Sequence, residues 1–175
     1  MTAAAPDAAA LPAPGLRRRM AAFVYEGVLL FGVLMVAGLI YGVVMQQRHA
    51  LAGLHGLQAF VFLVLGLYFT WFWTHGGQTI AMKTWHVRLL MHDGRPVPMG
   101  RAWLRYVLSW LWFLPALLSA WLAGLHSSAA IGWVLLAWVV VYALLTRFSR
   151  QRQFLHDLLA GTRLVYAQSP PRRGG

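Results

Sequence analysis

The stretch MAAFVYEGVLLFGVLMVAGLIYGVVM, residues 20–45, decides the fold. A helix needs about 20 mostly apolar residues to cross a hydrocarbon core of ~30 Å, and this run exceeds that length with Glu26 as its one charge. Arg17-Arg18-Arg19 precedes it. A secretory signal starts with such charges, but its apolar part covers only about 7–15 residues, so the run reads as a membrane span. Working outward, three further blocks qualify, at about residues 51–73, 103–125 and 129–146. The second carries His55 and Gln58 near its start and no formal charge. The third has Arg105 at its edge and contains Pro115, which predicts a kink. Gly124–Ser128 reads as the turn between the last two. Trp71, Trp73, Trp103, Trp110, Trp112, Trp121 and Trp133 sit mostly towards block ends, as an interfacial aromatic belt does.

Composition agrees. Of 175 residues, 59% are hydrophobic and 11% are charged, against about 45–50% and 25% in an ordinary soluble domain. That balance excludes a soluble enzyme and a disordered chain. The 15 basic and 4 acidic residues give a formal net charge of +11. Nucleic-acid binders gather such charge on a polar surface, whereas here it lies between apolar blocks, so no nucleic-acid partner is expected. Cys is absent, which removes disulfides, thiolate catalysis and Cys-ligated metals. Asn is absent too, so there is no N-glycosylation sequon. With the amino terminus placed in the cytoplasm, 14 of the 15 basic residues fall on the cytoplasmic side and only Arg48 faces out. The positive-inside rule then predicts four spans with both termini inside.

The longest polar connection runs from Thr74 to Ala102. Trp85, Val87 and Leu89 alternate with Thr84, His86 and Arg88, the period of a half-buried strand. Asp93-Gly94 is a turn pair, and Pro96 and Pro98 leave the second arm poor in donors. A short strand, a tight turn and an extended arm at headgroup level are expected. After the fourth span, Leu155, Leu158 and Leu159 repeat at helical spacing and Gly161 reads as a stop, predicting a short amphipathic helix on the membrane surface. Residues 1–16 and 168–175 read as disordered tails around a membrane domain at 17–167.

Three blocks give the chain a family likeness. The first is Arg18-Arg19-Met20-Ala21-Ala22-Phe23-Val24-Tyr25-Glu26. The second is Gly76-Gly77-Gln78-Thr79-Ile80-Ala81-Met82-Lys83-Thr84-Trp85 with Arg88, Asp93-Gly94 and Arg101-Ala102-Trp103-Leu104-Arg105-Tyr106. The third is Arg152-Gln153-Phe154-Leu155-His156-Asp157 with Ala160-Gly161-Thr162-Arg163. Together these resemble the RDD family of membrane proteins, named for one Arg and two Asp, over about residues 16–166. By position the family's Arg corresponds to Arg19 and its second Asp to Asp157, while its first Asp is Glu26 here. The resemblance implies membrane location and fold more firmly than activity. Transport of an unidentified ligand and cation/proton exchange are the activities it suggests.

The polar residues each admit two readings. Glu26 is the only acid within a span. Ionisable groups at that depth face the bundle or water, so it is a cation or proton site or a structural partner of an Arg. Arg19 lies two turns away on the same face, about 10 Å along the axis, too far for contact unless the long side chains snorkel. Asp157 beside His156 offers metal or proton chemistry, but neighbours on a helix point about 100° apart and no second such pair exists, so no metal site is expected. The structural alternative is that Asp157 accepts a bidentate hydrogen bond from Arg19, Arg101, Arg105 or Arg152 and pins the last helix under the bundle. Gln78 and Lys83 stand after a Gly pair that either approaches an anion or simply turns the chain. Arg101 and Arg105, four apart, share a helix face and either grip lipid phosphates or set topology. Gly38 and Gly42 form a G-x-x-x-G that leaves a homodimer open.

The expectation is therefore an all-α membrane protein: a bundle of four transmembrane helices in the bacterial inner (cytoplasmic) membrane, with a cytoplasmic interfacial loop and a short amphipathic C-terminal helix. Three function classes stand. One is transport of a cation or small solute, with Arg19, Glu26 and Asp157 as ligand or ion-pair residues, supported by Gln78, Lys83, Arg101, Arg105 and His156. The second is a non-catalytic adaptor or assembly protein working through its basic loop and C-terminal helix. The third, an intramembrane enzyme, lacks a Ser-His-Asp set, an H-E-x-x-H or paired carboxylates in the spans, so no enzyme and no cofactor are expected. The expected partners are the bilayer and its anionic headgroups.

Overall fold

In a computed structural model, residues 11–45, 54–147 and 153–167 are described. Four stretches are helical, long and apolar enough to cross a membrane: Leu16–Val44, Leu54–Thr74, Met99–Leu122 and Ser128–Leu145. The first two are α1 and α2. The third comprises α4 (Met99–Ser109), a 3-10 turn (Trp110–Trp112) and α5 (Leu114–Leu122), and the fourth is α6 (Ser128–Leu145). Their outer faces are apolar, with Phe31 66%, Leu39 69% and Trp133 70% exposed, as lipid contact requires. Arg48, Arg150, Arg152, Arg172 and Arg173, the block start at 51–53 and most of both expected tails lie outside the described residues. Within the expected tail, Leu11–Gly15 runs beside Thr162–Tyr166 closely enough for Tyr166 N–H to donate to the Pro12 carbonyl at 2.9 Å.

The third stretch is broken, but its proline is not the kink point itself. Pro115 occupies the first turn of α5, where its missing N–H breaks no helical bond. The Leu111 carbonyl, four residues earlier, accepts instead from the Trp138 indole N–H of α6 at 2.9 Å. The break thus becomes a tie between the third and fourth stretches.

One end of the bundle carries the smaller elements: α3 (Ile80–Thr84), β1 (Val87–Met91), α7 (Leu155–Ala160) and β2 (Thr162–Tyr166). The expected strand at 85–89 is present two residues later, and Asp93-Gly94 makes its turn, closed by Gly94 N–H to the Met91 carbonyl at 3.0 Å. The expected extended arm is not the strand's partner. β1 pairs antiparallel with β2, from Val87 opposite Tyr166 to Met91 opposite Thr162. This pairing joins the middle of the chain to its end, a contact no local pattern announces. Gly161 does stop α7, in the left-handed conformation with φ 69°.

α7 is amphipathic in an inverted sense. Leu155 and Leu159 are exposed, at 45% and 54%, while His156, Asp157 and Ala160 are buried. Its apolar side faces outward and its polar side faces the bundle. Beneath it lies an aromatic core in which Trp112 meets Phe23 at 4.8 Å, Tyr142 at 4.7 Å and Phe154 at 5.1 Å between ring centroids.

α2 and α4 approach closely at Gly66. A methyl built there would overlap the Trp103 ring and lie 3.1 Å from Tyr106, and Tyr106 O–H donates across the same contact to the Phe62 carbonyl at 2.7 Å. Close approach of this kind depends on small residues. Gly66→Ala is expected to cost about 1–3 kcal/mol through overpacking, read as lower thermal stability of the purified protein in detergent, whereas Gly32→Ala, in open space, leaves it unchanged.

Candidate functional site

The inward face of α1 carries Arg19, Ala22 and Glu26, all buried and spaced three and four residues apart, as one helix face requires. The two charged groups meet different partners. Tyr68 O–H on α2 donates to Glu26 Oε1 at 2.7 Å, and the Thr79 hydroxyl donates to Oε2 in a short contact. The carboxylate is therefore held by two hydroxyls and not by Arg19. No ion pair joins Arg19 to Glu26 among the described residues.

Thr79 is placed by the turn after α2. Gly77 has φ 72°, in the left-handed region that suits glycine. Its carbonyl accepts from Leu89 N–H at 2.7 Å, and the Gln78 side-chain amide donates to the Val87 carbonyl at 2.7 Å. The turn is thus riveted to β1. Thr79 then caps α3, its Oγ1 accepting from Met82 N–H at 3.2 Å. Of the two readings of the Gly pair, the structure supports the turn. Gln78 braces it, and Lys83 points away into solvent.

A second cluster forms where α4 meets α7. Arg105 Nε donates to Asp157 Oδ1 at 2.7 Å, with both side chains buried. The guanidinium carbon stacks 4.2 Å from the Trp73 ring centroid, and Nη2 lies 3.4 Å from His156 Nε2. The expected bidentate pair is instead single-edged, because the second edge of Arg105 turns to the imidazole and Asp157 Oδ2 has no hydrogen-bond partner. Of the four candidate arginines, Arg105 holds Asp157. Arg101 is exposed and reaches the Ala160 carbonyl at 3.5 Å, and Arg152 lies outside the described residues.

An arginine can only donate, so His156 Nε2 accepts and Nδ1 carries the proton, which it offers to Tyr142 Oη at 3.0 Å. The His156 backbone N–H donates to the same oxygen at 3.2 Å. Burial, opposed by Asp157 and reinforced by Arg105, lowers the His156 pKa from 6.5 to about 4. The ring is neutral in the fold.

Arg19 stands between the clusters. Its guanidinium carbon lies 4.7 Å from the Phe154 ring centroid, and its Nε and Nη1, both buried, have no hydrogen-bond partner. Asp157 attracts its charge without sharing a hydrogen bond with either nitrogen. Arg19, Glu26, Arg105 and His156 all line one cavity of about 350 Å³, whose remaining wall is apolar and aromatic, including Phe23, Leu30, Leu65, Phe69 and Trp110. Sequence reasoning thus found four residues of the cavity together with Asp157 behind it. It missed the roles of Tyr68, Thr79 and Tyr142. Each is a lone hydroxyl in or beside an apolar block, which is the only signal of a buried acceptor nearby. No three His, Asp or Glu side chains converge as a metal site among the described residues.

Four apolar helices closed at one end by a small sheet, with acids and arginines buried between them, define a membrane-type protein. The sequence profile of the RDD family matches residues 13–161, and the chain belongs to that family. Comparisons with curated proteins and with solved structures give no match.

Two outcomes follow for this site. Asp157→Asn leaves Arg105 buried without its counter-charge and is expected to cost about 3–5 kcal/mol, seen in thermal unfolding in detergent. An unfolded histidine titrates near 6.5 and the buried His156 near 4. Between those values only the unfolded chain takes up the proton, so this contribution to stability is complete above pH 6.5 and is lost as pH falls towards 4. A melting series from pH 7.5 to 4.5 should show that decline in the native chain and a flatter profile in His156→Gln.

Proposed function

We propose that this RDD-family protein moves a cation or small solute across the bacterial cytoplasmic membrane, with Glu26 as the titrating or ion-binding group of its cavity. The single observation that carries the reading is a carboxylate at membrane depth that lines a cavity and is held by hydroxyls, not by a cation. A carboxylate kept only for structure would be expected to pair with a basic group, since an unpaired charge at that depth is costly. Hydroxyl partners can rotate and exchange a proton or make way for an ion.

The proposed orientation is N-in and C-in. The start of α1, the end of α2, the start of α4 and the end of α6 all meet the sheet-bearing end, and the positive-inside rule assigns that end, with Arg17, Arg18, Lys83, Arg88, Arg95, Arg101 and Arg147, to the cytoplasm. The exposed cations there suit contact with anionic headgroups. Gly38 and Gly42 meet open space, which leaves room for a second copy. The adaptor reading draws less support, because α7 turns its polar residues inward and offers a partner mainly Leu155 and Leu159. The proposed activity is non-catalytic.

The test is flux through the purified protein in liposomes, with an imposed pH gradient, an internal pH dye and Na⁺, K⁺ or Li⁺ outside. Cation-dependent proton movement is expected in the native chain and in Glu26→Asp, and its loss in Glu26→Gln that still folds. Flux no greater than in protein-free liposomes overturns the reading.

A further inference from the structure

We propose that the cavity seats an oxyanion-headed amphiphile of the bilayer, its head paired with Arg19 and its chain lying past Gly27 towards Leu30. This goes beyond solute movement and stands apart from it, since a resident lipid needs no flux.

Arg19 is 5% exposed, and two of its buried nitrogens carry no hydrogen-bond partner. Burying a cation with unsatisfied donors is unfavourable unless a counter-charge completes them. Among the described acids, both Glu26 oxygens are engaged with Tyr68 and Thr79, Asp93 pairs with Arg95, and Asp157 gives Oδ1 to Arg105; its Oδ2, though without a hydrogen-bond partner, does not bond the buried Nε or Nη1 of Arg19. An oxyanion from outside the chain is the missing partner. A guanidinium edge matches phosphate or carboxylate geometry with two parallel donors, while one face of this guanidinium already rests on Phe154.

The rest of the cavity says what the oxyanion is attached to. Beyond Arg19 the wall also carries Glu26, Arg105 and His156 and is otherwise mainly apolar; it includes Val24, 62% exposed, and Phe113, 37% exposed, both in stretches long and apolar enough to lie in a membrane. Access past these two side chains would be from the lipid side. Leu30 lies eleven residues beyond Arg19, roughly 16 Å deeper at 1.5 Å per residue. The charged end is thus at the start of a span and the apolar end in its interior, the polarity of a bilayer amphiphile. The volume of about 350 Å³ falls within the range of small-ligand pockets and admits a head and part of one chain, with the remainder left in the bilayer.

The experiment uses the purified full chain in a neutral detergent and a fluorescent-chain phosphatidic acid as probe, displaced by four unlabelled competitors. Phosphatidic acid is expected to displace it. Oleate tests whether a carboxylate head serves as well as a phosphate ester, and displacement by either head supports the site. Inorganic phosphate, a head without a chain, and diacylglycerol, chains without a charge, are expected to fail at millimolar concentration. Arg19→Gln should weaken probe binding at least tenfold, and Arg19→Lys should restore part of it. Gly27 lines the cavity and a Cβ built there meets nothing within 4 Å, so Gly27→Leu should fold and place its added methyl groups in the chain's seat. If Arg19→Gln does not fold, Arg19→Lys and Gly27→Leu carry the test. Native affinity in folded Arg19→Gln or in Gly27→Leu overturns the proposal, as does displacement by inorganic phosphate, which marks a free-anion site, or by diacylglycerol, which marks apolar contact alone. No gradient is involved, so loss of binding and loss of flux are separate results.

Discussion

Arg105 and Asp157 meet at 2.7 Å with both side chains buried, and much of the sheet-bearing end depends on that meeting. It fastens α7 under α4. Once α7 is fastened, Gly161 turns the chain and β2 has one course, along β1. β1 in turn holds the Gly77 turn, which presents Thr79 to Glu26. A buried pair of this kind adds little net stability over apolar packing, but removing either partner strands the other. Its effect is on geometry: one register, one position for the end of the chain, one position for His156.

The two charged clusters solve the same problem in different ways. Asp157 meets a cation, Arg105, that is itself stacked on Trp73, and lies beside His156 and Thr162. Glu26 meets two hydroxyls, which satisfy its lone pairs without cancelling its charge. A site that must hold a position suits the first arrangement. A site that exchanges a proton or an ion suits the second, because no Coulomb partner has to be pulled away first. Arg19, lying beside both and hydrogen-bonded through neither Nε nor Nη1 to either, is where the cavity's electrostatics remain open.

Most of the helical framework was legible because lipid imposes it. Without water, the backbone must bond within each segment, so length and hydropathy suffice to find spans such as Leu16–Val44. The candidate site was partly legible for the same reason: an acid such as Glu26 in an apolar run announces itself by its cost. Its partners did not. Tyr68 and Thr79 are separated from Glu26 by 42 and 53 residues, and a single hydroxyl carries no periodic signal. Arg19 and Glu26 share a helix face, but two turns, about 10 Å along the axis, separate them, and no ion pair joins them among the described residues.

The sequence by itself determined the number of apolar helices, the turn at Asp93-Gly94, the stop at Gly161 and the acid within the first span, Glu26, since each follows from a local rule about length, backbone freedom or the cost of burying charge. Tertiary structure alone decided which arginine Asp157 takes, that the strand at Val87–Met91 pairs with Thr162–Tyr166, that the polar side of α7 turns inward, and that Leu111's carbonyl is met by Trp138. Those outcomes depend on distances between segments remote in the chain. Packing of bulky aromatics against small residues such as Gly66 sets those distances, and no local pattern encodes them.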